Sequence, residues 1–548
     1  MGSLIEQIGL FSVPRCARAR SQNSWPFRQC FDALNFRCVE IFVSGSLLPT
    51  QRVGELPTQR VGERQVRMQT RYNSKSKHLG VTPPSPSPSL SRASRSTALN
   101  CRKTSRAHTS LAYASFLCLA VVGTLLGTSS CGAIERVTDA AKGTPKVRTV
   151  KMYTTEPNVR VRIHSAVPKV TIDGVPTLVV RPKTVGSTVG RAESMAAPLV
   201  ITSSRNGLIF TDPKGKKVQW PAGQDAEILP TASEGTSVRI DGVNYPGFAI
   251  VSSKADGNAT TMDVIVDMPI EAYIPGVLSH ELWKDWPRQT YECQAVAARS
   301  YAVHERERSR REGKPFDLED TTADQVFGGT TKLRMPMETA QATRGLILTW
   351  RGEVLRAYYS SQCGGRSASA AAVWSTSQRF EFNEAEPIQG KPRPHYCQRS
   401  PRYRWEVTRP DDDVNQRLRA YGRMRNTDLQ NVTRVRKIEI NERNDADRPN
   451  TYTVTDDRDR EYVVRAEDLR AALNHAVKGL PAITPETIVH SGDLEAEVWA
   501  NTIRFRGRGW GHGVGMCQWC AKGMADAGMD WASMIKTFYP EAEVVKAW

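Results

Sequence analysis

The stretch PIEAYIPGVLSHELWKDWPRQTYECQAVAARSYAVHERERSRREG, residues 269–313, decides the fold because the hydrophobic period changes within it. Its second half carries small apolar residues at the spacing of one helix face, namely Ala295, Ala298, Ala302 and Val303. Charged residues and Gly313 end this pattern. We therefore predict a long, closely packed helix with Pro287 in its first turn and a cap near Asp285.

The residues before this stretch favour strands. Between residues 147 and 268, short runs such as NVRVRIHS, KVTIDGVPTLVV and TMDVIVDM alternate apolar and polar side chains, and Asp-Gly and Pro-Lys-Gly turn signals separate such runs. This pattern is typical of antiparallel hairpins. Residues 147–268 are therefore predicted to form a β-rich accessory module.

The residues after the stretch mix both patterns. LILTWRGEV indicates two strands joined by Arg-Gly, and RVRKIEINER, TYTVTDD and EYVVRA indicate further strands. AEDLRAALNHAV, CQWCAKGMADAG and DWASMIKTFY indicate helices, with Gly528 as a stop and Asp530 as a cap. Because strands and helices do not alternate regularly, the predicted fold class is α+β, with a mixed, β-rich core domain and a few helices over residues 269–548.

Charge separates an N-terminal extension from the rest of the chain. Residues 1–110 contain 17 Lys and Arg against 5 Asp and Glu, a net of +12, which leaves +6 of the total +18 for the remainder. The tandem repeat LPTQRVGELPTQRVGE and the Pro- and Ser-rich residues 83–96 cannot bury a core, so residues 1–109 are predicted to be a disordered basic extension. We also predict that part of this extension results from a wrongly assigned translation start, with Met68 as one candidate for the true start. The small excess elsewhere argues against a nucleic-acid partner and suits an anionic polymer such as a cell wall.

An export signal is predicted next. SLAYASFLCLAVVGTLLGTSSCGA, residues 110–133, follows Lys103 and Arg106 and contains no Asp, Glu, Lys or Arg. Its apolar centre would be about 24 Å long as a helix, shorter than the ~30 Å hydrocarbon core of a bilayer. Residues 110–131 therefore predict a signal peptide or a lipoprotein signal ending at Cys131, with an uncleaved anchor as the alternative. The expected location is the cell envelope, with membrane contact only through this signal or a lipid.

Export would place the cysteines in an oxidising compartment. Five follow Cys131, so they cannot all pair within one chain: Cys293, Cys363, Cys397, Cys517 and Cys520. Cys363 and Cys397 are candidates for a disulfide or, with His395, for a metal site. The CxxC of Cys517 and Cys520 allows a disulfide, two buried thiols or zinc, and a single CxxC is weak evidence for zinc.

A glycine-rich run, GRGWGHGVG at residues 507–515, lies just before that CxxC. It contains neither GxGxxG nor a P-loop G-K-[ST], which excludes a dinucleotide or phosphate cradle. Two interpretations stay open. The backbone lies close to a ligand or to another segment of the chain, with Trp510 and His512 projecting, or the run is a tight turn with a structural histidine.

Glu281, in GVLSHELWKDWP, is the candidate catalytic residue. Its sequence neighbours include the apolar residues Leu278, Leu282, Trp283 and Trp286. Such a neighbourhood would raise the pKa of Glu281 toward the range of a general acid. The alternative is a cap or a surface charge, because the residue is expected just before a helix.

Four blocks of the sequence, in order, resemble the motifs of the sporulation stage II protein D and amidase-enhancer family. They are residues 276–302, 317–329, 342–367 and 507–540, within a resemblance that spans about residues 150–548. The resemblance implies a bacterial cell-wall protein. Those members that are catalytic are lytic transglycosylases, which cut peptidoglycan glycan strands already stripped of stem peptides, and their catalytic glutamate matches Glu281.

The resemblance also implies a mechanism and a substrate groove. One carboxyl group protonates the glycosidic oxygen, the 6-hydroxyl of the sugar attacks the anomeric carbon, and an anhydro end forms, so neither a second carboxylate nor an organic cofactor is expected. Several residues fall in motifs that line the groove: Gln325, Cys363, Gly364, Gly365, His512 and Gln518. Trp510 or Trp519 would stack on a sugar ring.

Departures from the family pattern leave other functions open. Ser360 stands where many relatives have histidine, and Cys517 and Trp519-Cys520 stand where they have Ser and Tyr-Gly. A metal site that uses this histidine is therefore not expected, although zinc bound by the cysteines stays open. The alternative function is a non-catalytic, wall-binding enhancer of an N-acetylmuramoyl-L-alanine amidase, and a third is a zinc-dependent wall hydrolase.

Overall fold

The computed structural model describes residues 26–28, 40–42, 147–150, 152–183, 191–231, 236–256 and 259–548. Before residue 147 it describes two short strands, β1 (Pro26–Arg28) and β2 (Glu40–Phe42), which pair antiparallel. The rest of the predicted disordered extension (1–109) and the predicted signal (110–131), with Cys131, lie outside the described residues. None of the described helices has the length and apolar character that a membrane crossing requires.

The next strands form the predicted β-rich region. They are β3 (Arg148–Thr149), β4 (Asn158–Val167), β5 (Lys169–Asp173), β6 (Thr177–Pro182), β7 (Glu193–Ala196), β8 (Leu199–Ser204), β9 (Gly207–Thr211), β10 (Lys217–Pro221), β11 (Ala226–Pro230), β12 (Ser237–Ile240), β13 (Val243–Pro246), β14 (Phe248–Asp256) and β15 (Ala259–Pro269). Alternation explains β4, where Val159, Val161 and Ile163 are buried and their neighbours are not. Asp241 and Gly242 both have positive φ, 45° and 86°, and join β12 to β13, which confirms the predicted Asp-Gly hairpin.

Helices follow directly after β15. They are α1 (Ile270–Glu281), α2 (Arg288–Arg311), α3 (Arg334–Ala342), α4 (Ala370–Val373), α5 (Asp411–Arg425), α6 (Ala466–Leu473), α7 (Gln518–Asp526) and α8 (Trp531–Phe538), with 3₁₀ turns at Glu381–Glu384, Glu386–Ile388 and Asp428–Asn431. The long helix predicted from the small-residue stripe is α2, and Ala295, Ala298, Ala302 and Val303 are fully buried. The predicted cap of α8 is also confirmed, because the Asp530 carboxylate accepts the Ser533 N–H at 2.8 Å.

The remaining strands lie among and after these helices. They are β16 (Leu318–Glu319), β17 (Leu346–Trp350), β18 (Glu353–Val354), β19 (Tyr359–Ser360), β20 (Trp405–Pro410), β21 (Val435–Arg443), β22 (Pro449–Asp456), β23 (Glu461–Arg465), β24 (Leu494–Val498), β25 (Thr502–Gly507), β26 (Met516–Cys517) and β27 (Glu543–Lys546). Arg351 and Gly352 turn β17 into β18 as predicted. The combination of several sheets with separate helices confirms the α+β class.

Two large sheets carry the first half of this architecture. Their strand orders are β10-β9-β8-β5-β12-β13 and β16-β4-β15-β14-β11-β6-β7, and all neighbours are antiparallel except β16 and β4. The hydrophobic core continues from β4 and β15 into α1, α2 and α7. Residues between Trp405 and Phe505 instead surround a second core, built around the sheets β20-β25-β24 and β21-β22-β23.

One helix and one cap around the decisive stretch differ from the predictions. Glu281 precedes α2 as predicted, but it is also the last residue of α1, a helix that the sequence did not predict because Pro275 and Gly276 stand in its middle. The helix tolerates them because one missing N–H bond is offset by the burial of Tyr273 and its other apolar residues in the core. Asp285 does not cap α2, which begins after Pro287 without a side-chain cap.

Candidate active site

Glu281 is positioned by the close approach of α1 to the loop that follows β16. A Cβ atom on Gly276 would lie 2.4 Å from the Phe327 ring, and a Cβ atom on Gly328 would lie 2.2 Å from Nε2 of His280. Glycine is therefore needed at both positions for this contact. The result is that the backbone of the loop reaches the carboxyl group at the end of the helix.

The Glu281 carboxyl group accepts hydrogen bonds from three donors on three different segments. The Val326 N–H lies 3.1 Å from Oε1, and Nε2 of Gln518 lies 3.1 Å from Oε2. The Tyr359 hydroxyl lies 3.5 Å from Oε1. These contacts bring the end of α1 together with the β16 loop, β19 and the first turn of α7, so two predicted residues, Glu281 and Gln518, meet directly.

Burial raises the pKa of Glu281 above its ordinary value. The carboxyl group is enclosed by protein, although the residue as a whole is only half-buried. The hydrogen bonds from Val326, Gln518 and Tyr359 act in the opposite direction, because they favour the carboxylate. The net shift is upward, which suits a group that must hold a proton before it donates it.

Gln325 holds the Tyr359 side chain in place by a hydrogen bond. It is fully buried, its Nε2 donates to the Tyr359 hydroxyl at 3.0 Å and to the carbonyl oxygen of Ala298 at 3.2 Å, and its Oε1 accepts from the Tyr273 hydroxyl at 3.2 Å. A side chain held in this way orients Tyr359. It does not line an open groove.

His512 lies on the other side of Tyr359. Its Nδ1 accepts the Val514 N–H at 3.1 Å, so Nε2 carries the proton, which it donates to the Tyr359 carbonyl oxygen at 3.0 Å. Burial lowers the pKa of His512 to about 4, and the ring is therefore neutral at pH 7. His512 holds the backbone of Tyr359 and does not contact the Glu281 carboxyl group.

The glycine-rich run packs backbone against backbone. A Cβ atom on Gly515 would lie 2.0 Å from the Tyr358 carbonyl oxygen, and one on Gly364 would lie 2.7 Å from the backbone of Arg508. Both glycines also have a φ of +67°. Gly365 has a φ of +94°, and a Cβ atom on it would lie 3.0 Å from the Tyr403 hydroxyl oxygen and 3.4 Å from the His395 ring. The run therefore lies close to another segment of the chain, which was part of the first interpretation, and its histidine is structural as in the second.

Two exposed tryptophans lie close in sequence to residues described above, Trp283 to Glu281 and Trp510 to His512. Trp283, two residues after Glu281, is 56% exposed, and Trp510 is 45% exposed with its ring 5.3 Å from that of His490. Trp519 is half-buried and packs edge-on against Trp286 at 5.2 Å. Trp283 and Trp510 are therefore more accessible than Trp519 for stacking on a sugar ring.

A cavity of about 50 Å³ adjoins Tyr359 and His512. Its lining residues are Tyr301, Thr322, Ala323, Asp324, Arg356, Tyr358, Tyr359, Trp374 and His512. Burial raises the pKa of Asp324 to about 6, while the Tyr301 hydroxyl donates to its carboxyl group at 2.9 Å. Asp324 is thus a second carboxyl group of raised pKa in this region.

The four predicted cysteines lie together. Cys363, Cys397, Cys517 and Cys520 are buried free thiols, and their Sγ atoms all lie within 4.8 Å of one another. Among the described residues, the group that could hold a metal ion is this set, and His395 does not belong to it. His395 instead stacks on Tyr403, with ring centroids 6.4 Å apart.

Comparison with known proteins places these elements in a family. A family model described as stage II sporulation protein matches residues 258–350, and a second model, described as a domain of unknown function, matches residues 380–515. An uncharacterized protein of Brachyspira hyodysenteriae is 30% identical over 307 residues, which are 56% of this chain and 73% of that protein. The chain belongs to the sporulation stage II protein D and amidase-enhancer family. The first family match contains Glu281, and its residues 258–350 also contain Gln325.

Two other members of the family are similar over comparable lengths. The amidase enhancer of Bacillus subtilis is 25% identical over 298 residues, which are 49% of this chain and 39% of that protein. Stage II sporulation protein D of Bacillus subtilis is 24% identical over 302 residues, 53% of this chain and 78% of that protein. The chain therefore spans less than half of the amidase enhancer and most of stage II sporulation protein D.

Sequence reasoning missed two of the partners of Glu281. The Val326 N–H is a backbone donor, which no residue type signals. Tyr359 belongs to the two-residue strand β19, too short to show alternation, although its position just before the Cys-Gly-Gly motif was available as a signal. The sequence places Trp283 among the apolar neighbours of Glu281 but does not indicate that its side chain is exposed.

Proposed function

We propose that the protein is an exported lytic transglycosylase that cuts the glycan strands of peptidoglycan, with strands free of stem peptides as the substrate. The observation that carries the proposal is the Glu281 carboxyl group, whose pKa is raised by burial and which three donors hold at the end of α1. Family membership supports it, because the residues around Glu281 lie in the matched segment 258–350.

The reaction needs one group that first gives and then takes a proton. Glu281 donates its proton to the glycosidic oxygen as the bond from that oxygen to the anomeric carbon breaks. The 6-hydroxyl oxygen of the same sugar bonds to the anomeric carbon, and its proton passes to the Glu281 carboxylate. The products are a free hydroxyl on one strand and a 1,6-anhydro end on the other, with no water consumed and the acid regenerated.

The surrounding donors suit both halves of this cycle. When Glu281 has lost its proton, the Val326 N–H, the Gln518 amide and the Tyr359 hydroxyl stabilise the carboxylate. Burial favours the return of the proton. Among the described residues, the partners of the carboxyl group include no second carboxylate, which fits a nucleophile supplied by the sugar itself.

Digestion of purified, peptide-free glycan strands tests the proposal. The full chain should release anhydro ends that mass spectrometry detects, and Glu281→Gln should release none above background, because the amide cannot donate an acidic proton. Glu353→Gln, at the exposed turn after β17, is the matched control and should match the wild type. Equal release by the wild type and Glu281→Gln would refute the assignment.

A second candidate function follows from one relative. The amidase enhancer of Bacillus subtilis is similar to 49% of this chain, so a non-catalytic role in presenting peptidoglycan to an N-acetylmuramoyl-L-alanine amidase is the competing proposal. The test is amidase activity on intact peptidoglycan with and without this protein. Stimulation by the wild type and Glu281→Gln alike, without anhydro ends, would favour the enhancer.

Export belongs to the proposal because the substrate lies outside the cytoplasm. The basic flank, the short apolar run and the small residues before Cys131 support it, with Cys131 as the candidate lipid site. Mass spectrometry of the mature N-terminus in a bacterial host would show cleavage before Cys131 with an attached lipid, or cleavage alone. A full-length cytoplasmic product would contradict export. The reaction as written requires no organic cofactor.

A further inference from the structure

Four cysteines from three separate segments converge in the interior. Cys363 follows β19, Cys397 lies in the loop before β20, and Cys517 and Cys520 begin α7. Each is at most 1% exposed. By contrast Cys293, which is also buried, lies outside this group and contacts the Met516 sulfur at 3.7 Å.

Two of the sulfur separations match those of a tetrahedral metal complex, and all of them are within 4.8 Å. Cys363 Sγ lies 3.8 Å from Cys397 Sγ and 3.7 Å from Cys520 Sγ. In a tetrahedron with zinc–sulfur bonds of about 2.3 Å, the sulfur atoms are about 3.8 Å apart. A disulfide requires a sulfur separation near ~2.05 Å, and no pair is singled out here because Cys363 is almost equally far from two partners.

The surroundings of the sulfur atoms suit thiolates. Cys517 Sγ accepts the backbone N–H groups of Cys363 and Cys520, each at 3.3 Å, and stands at the N-terminus of α7. Two arginines lie near the cluster. The buried Arg448 donates to the Cys363 carbonyl oxygen at 3.2 Å, and Arg393 donates to the carbonyl oxygen of Gly515 at 2.8 Å.

We propose that Cys363, Cys397, Cys517 and Cys520 bind one zinc ion as a structural tetrathiolate site. Thiolate sulfur is a ligand type that zinc prefers, and four protein ligands close the tetrahedron. No coordination position is left for water or substrate, so this ion is not a catalyst. A closed site of this kind argues against the third predicted function, in which zinc bound by these cysteines would catalyse hydrolysis.

The position of the ion explains what it stabilises. β19 and β26 pair in parallel over only two residues each, Tyr359 with Met516 and Ser360 with Cys517. Such a short ladder contributes little stability by itself. Zinc links Cys363 to Cys517 beside this ladder, and thereby fixes the segments that carry Tyr359 and Gln518 to Glu281.

Metal analysis of the full chain tests the site and does not depend on the proposed function. Protein purified without chelators should contain about one zinc ion per chain by elemental mass spectrometry. Cobalt exchanged for the zinc should give the intense visible bands of a tetrahedral tetrathiolate complex. Cys397→Ser should lose both signals. Cys293→Ser, which changes a buried cysteine outside the cluster, should keep both.

Several results would overturn the proposal. They are less than a tenth of a zinc ion per wild-type chain, iron in place of zinc, an undiminished zinc content in Cys397→Ser, or a disulfide-linked peptide that joins any two of the four cysteines. If Cys397→Ser does not fold, the cobalt spectrum of the wild type still decides, because octahedral or oxygen-bound cobalt absorbs weakly and would contradict four sulfur ligands.

Discussion

Replacement of Gln518 by leucine should move the alkaline limb of the pH–activity profile to higher pH. Nε2 of Gln518 donates to Glu281 Oε2 at 3.1 Å, and this bond favours the carboxylate. A general acid acts only while it is protonated, so activity falls as the pH rises through its pKa. Loss of the donor raises the pKa of Glu281, and the protonated form then persists to higher pH.

The size of the effect follows from the contact. A hydrogen bond to a charged group contributes about 1.5–3 kcal/mol, and one pH unit corresponds to about 1.4 kcal/mol. The Val326 N–H and the Tyr359 hydroxyl still stabilise the carboxylate in this variant, so we take the low end of this range and expect the limb to move by about one pH unit. Tyr359→Phe should move it less, because the hydroxyl lies 3.5 Å away, at the limit of a hydrogen bond.

The assay is the initial rate of anhydro-end release from peptide-free strands across the pH range, by mass spectrometry. Gln341→Leu is the matched control, because this glutamine is exposed on α3 and does not contact Glu281. Its profile should coincide with that of the wild type. An unchanged limb in Gln518→Leu, or a limb that moves to lower pH, would refute the role of Glu281 as the acid.

Three further variants test the structure around the site. The pKa of Glu281 is raised from 4.5 in the folded protein, so the free energy of unfolding of the wild type falls as the pH rises from 4.5 through the folded-state pKa. Glu281→Gln should remove this pH dependence, which urea unfolding at pH 4 and at pH 7 measures. Arg299→Met should lower the free energy of unfolding by about 3–5 kcal/mol in urea, because it leaves Glu271 buried without its cation. Gly276→Ala should cost about 1–3 kcal/mol in the same assay and reduce anhydro-end release, because its Cβ would overlap Phe327.

Local patterns predicted those parts of the fold that depend on local physics. Alternation and the Asp241-Gly242 turn predicted β strands and a hairpin, and the alanine stripe predicted α2. The same local rules failed at α1, because Pro275 argues against a helix that the tertiary core nevertheless stabilises. Local patterns also do not predict which distant strands pair. Strand β20 pairs with β25, with Trp405 opposite Gly507, and these strands contribute to a second core whose residues come from several segments.

The candidate site divides in the same way. The sequence neighbours of Glu281 suggested an enclosed carboxyl group, and burial does raise its pKa. Its partners come from residues 326, 359 and 518, whose convergence depends on tertiary packing. The cysteines show most clearly what the sequence does not predict. A single CxxC is weak evidence for zinc, and only the structure shows that the sulfur atoms of Cys363 and Cys397 lie beside those of Cys517 and Cys520.

The zinc site and the acid are coupled if both proposals hold, because Gln518 stands between Cys517 and Cys520 in the first turn of α7. Loss of zinc would free this turn and with it the donor to Glu281. Cys397→Ser should then move the alkaline limb in the same direction as Gln518→Leu, and the double variant should move it no further than Gln518→Leu alone. Additive shifts would mean that the cysteines stabilise the fold without positioning Gln518. The result separates the two roles because Cys397 does not contact Glu281, so a shift can arise only through the segments that the ion links.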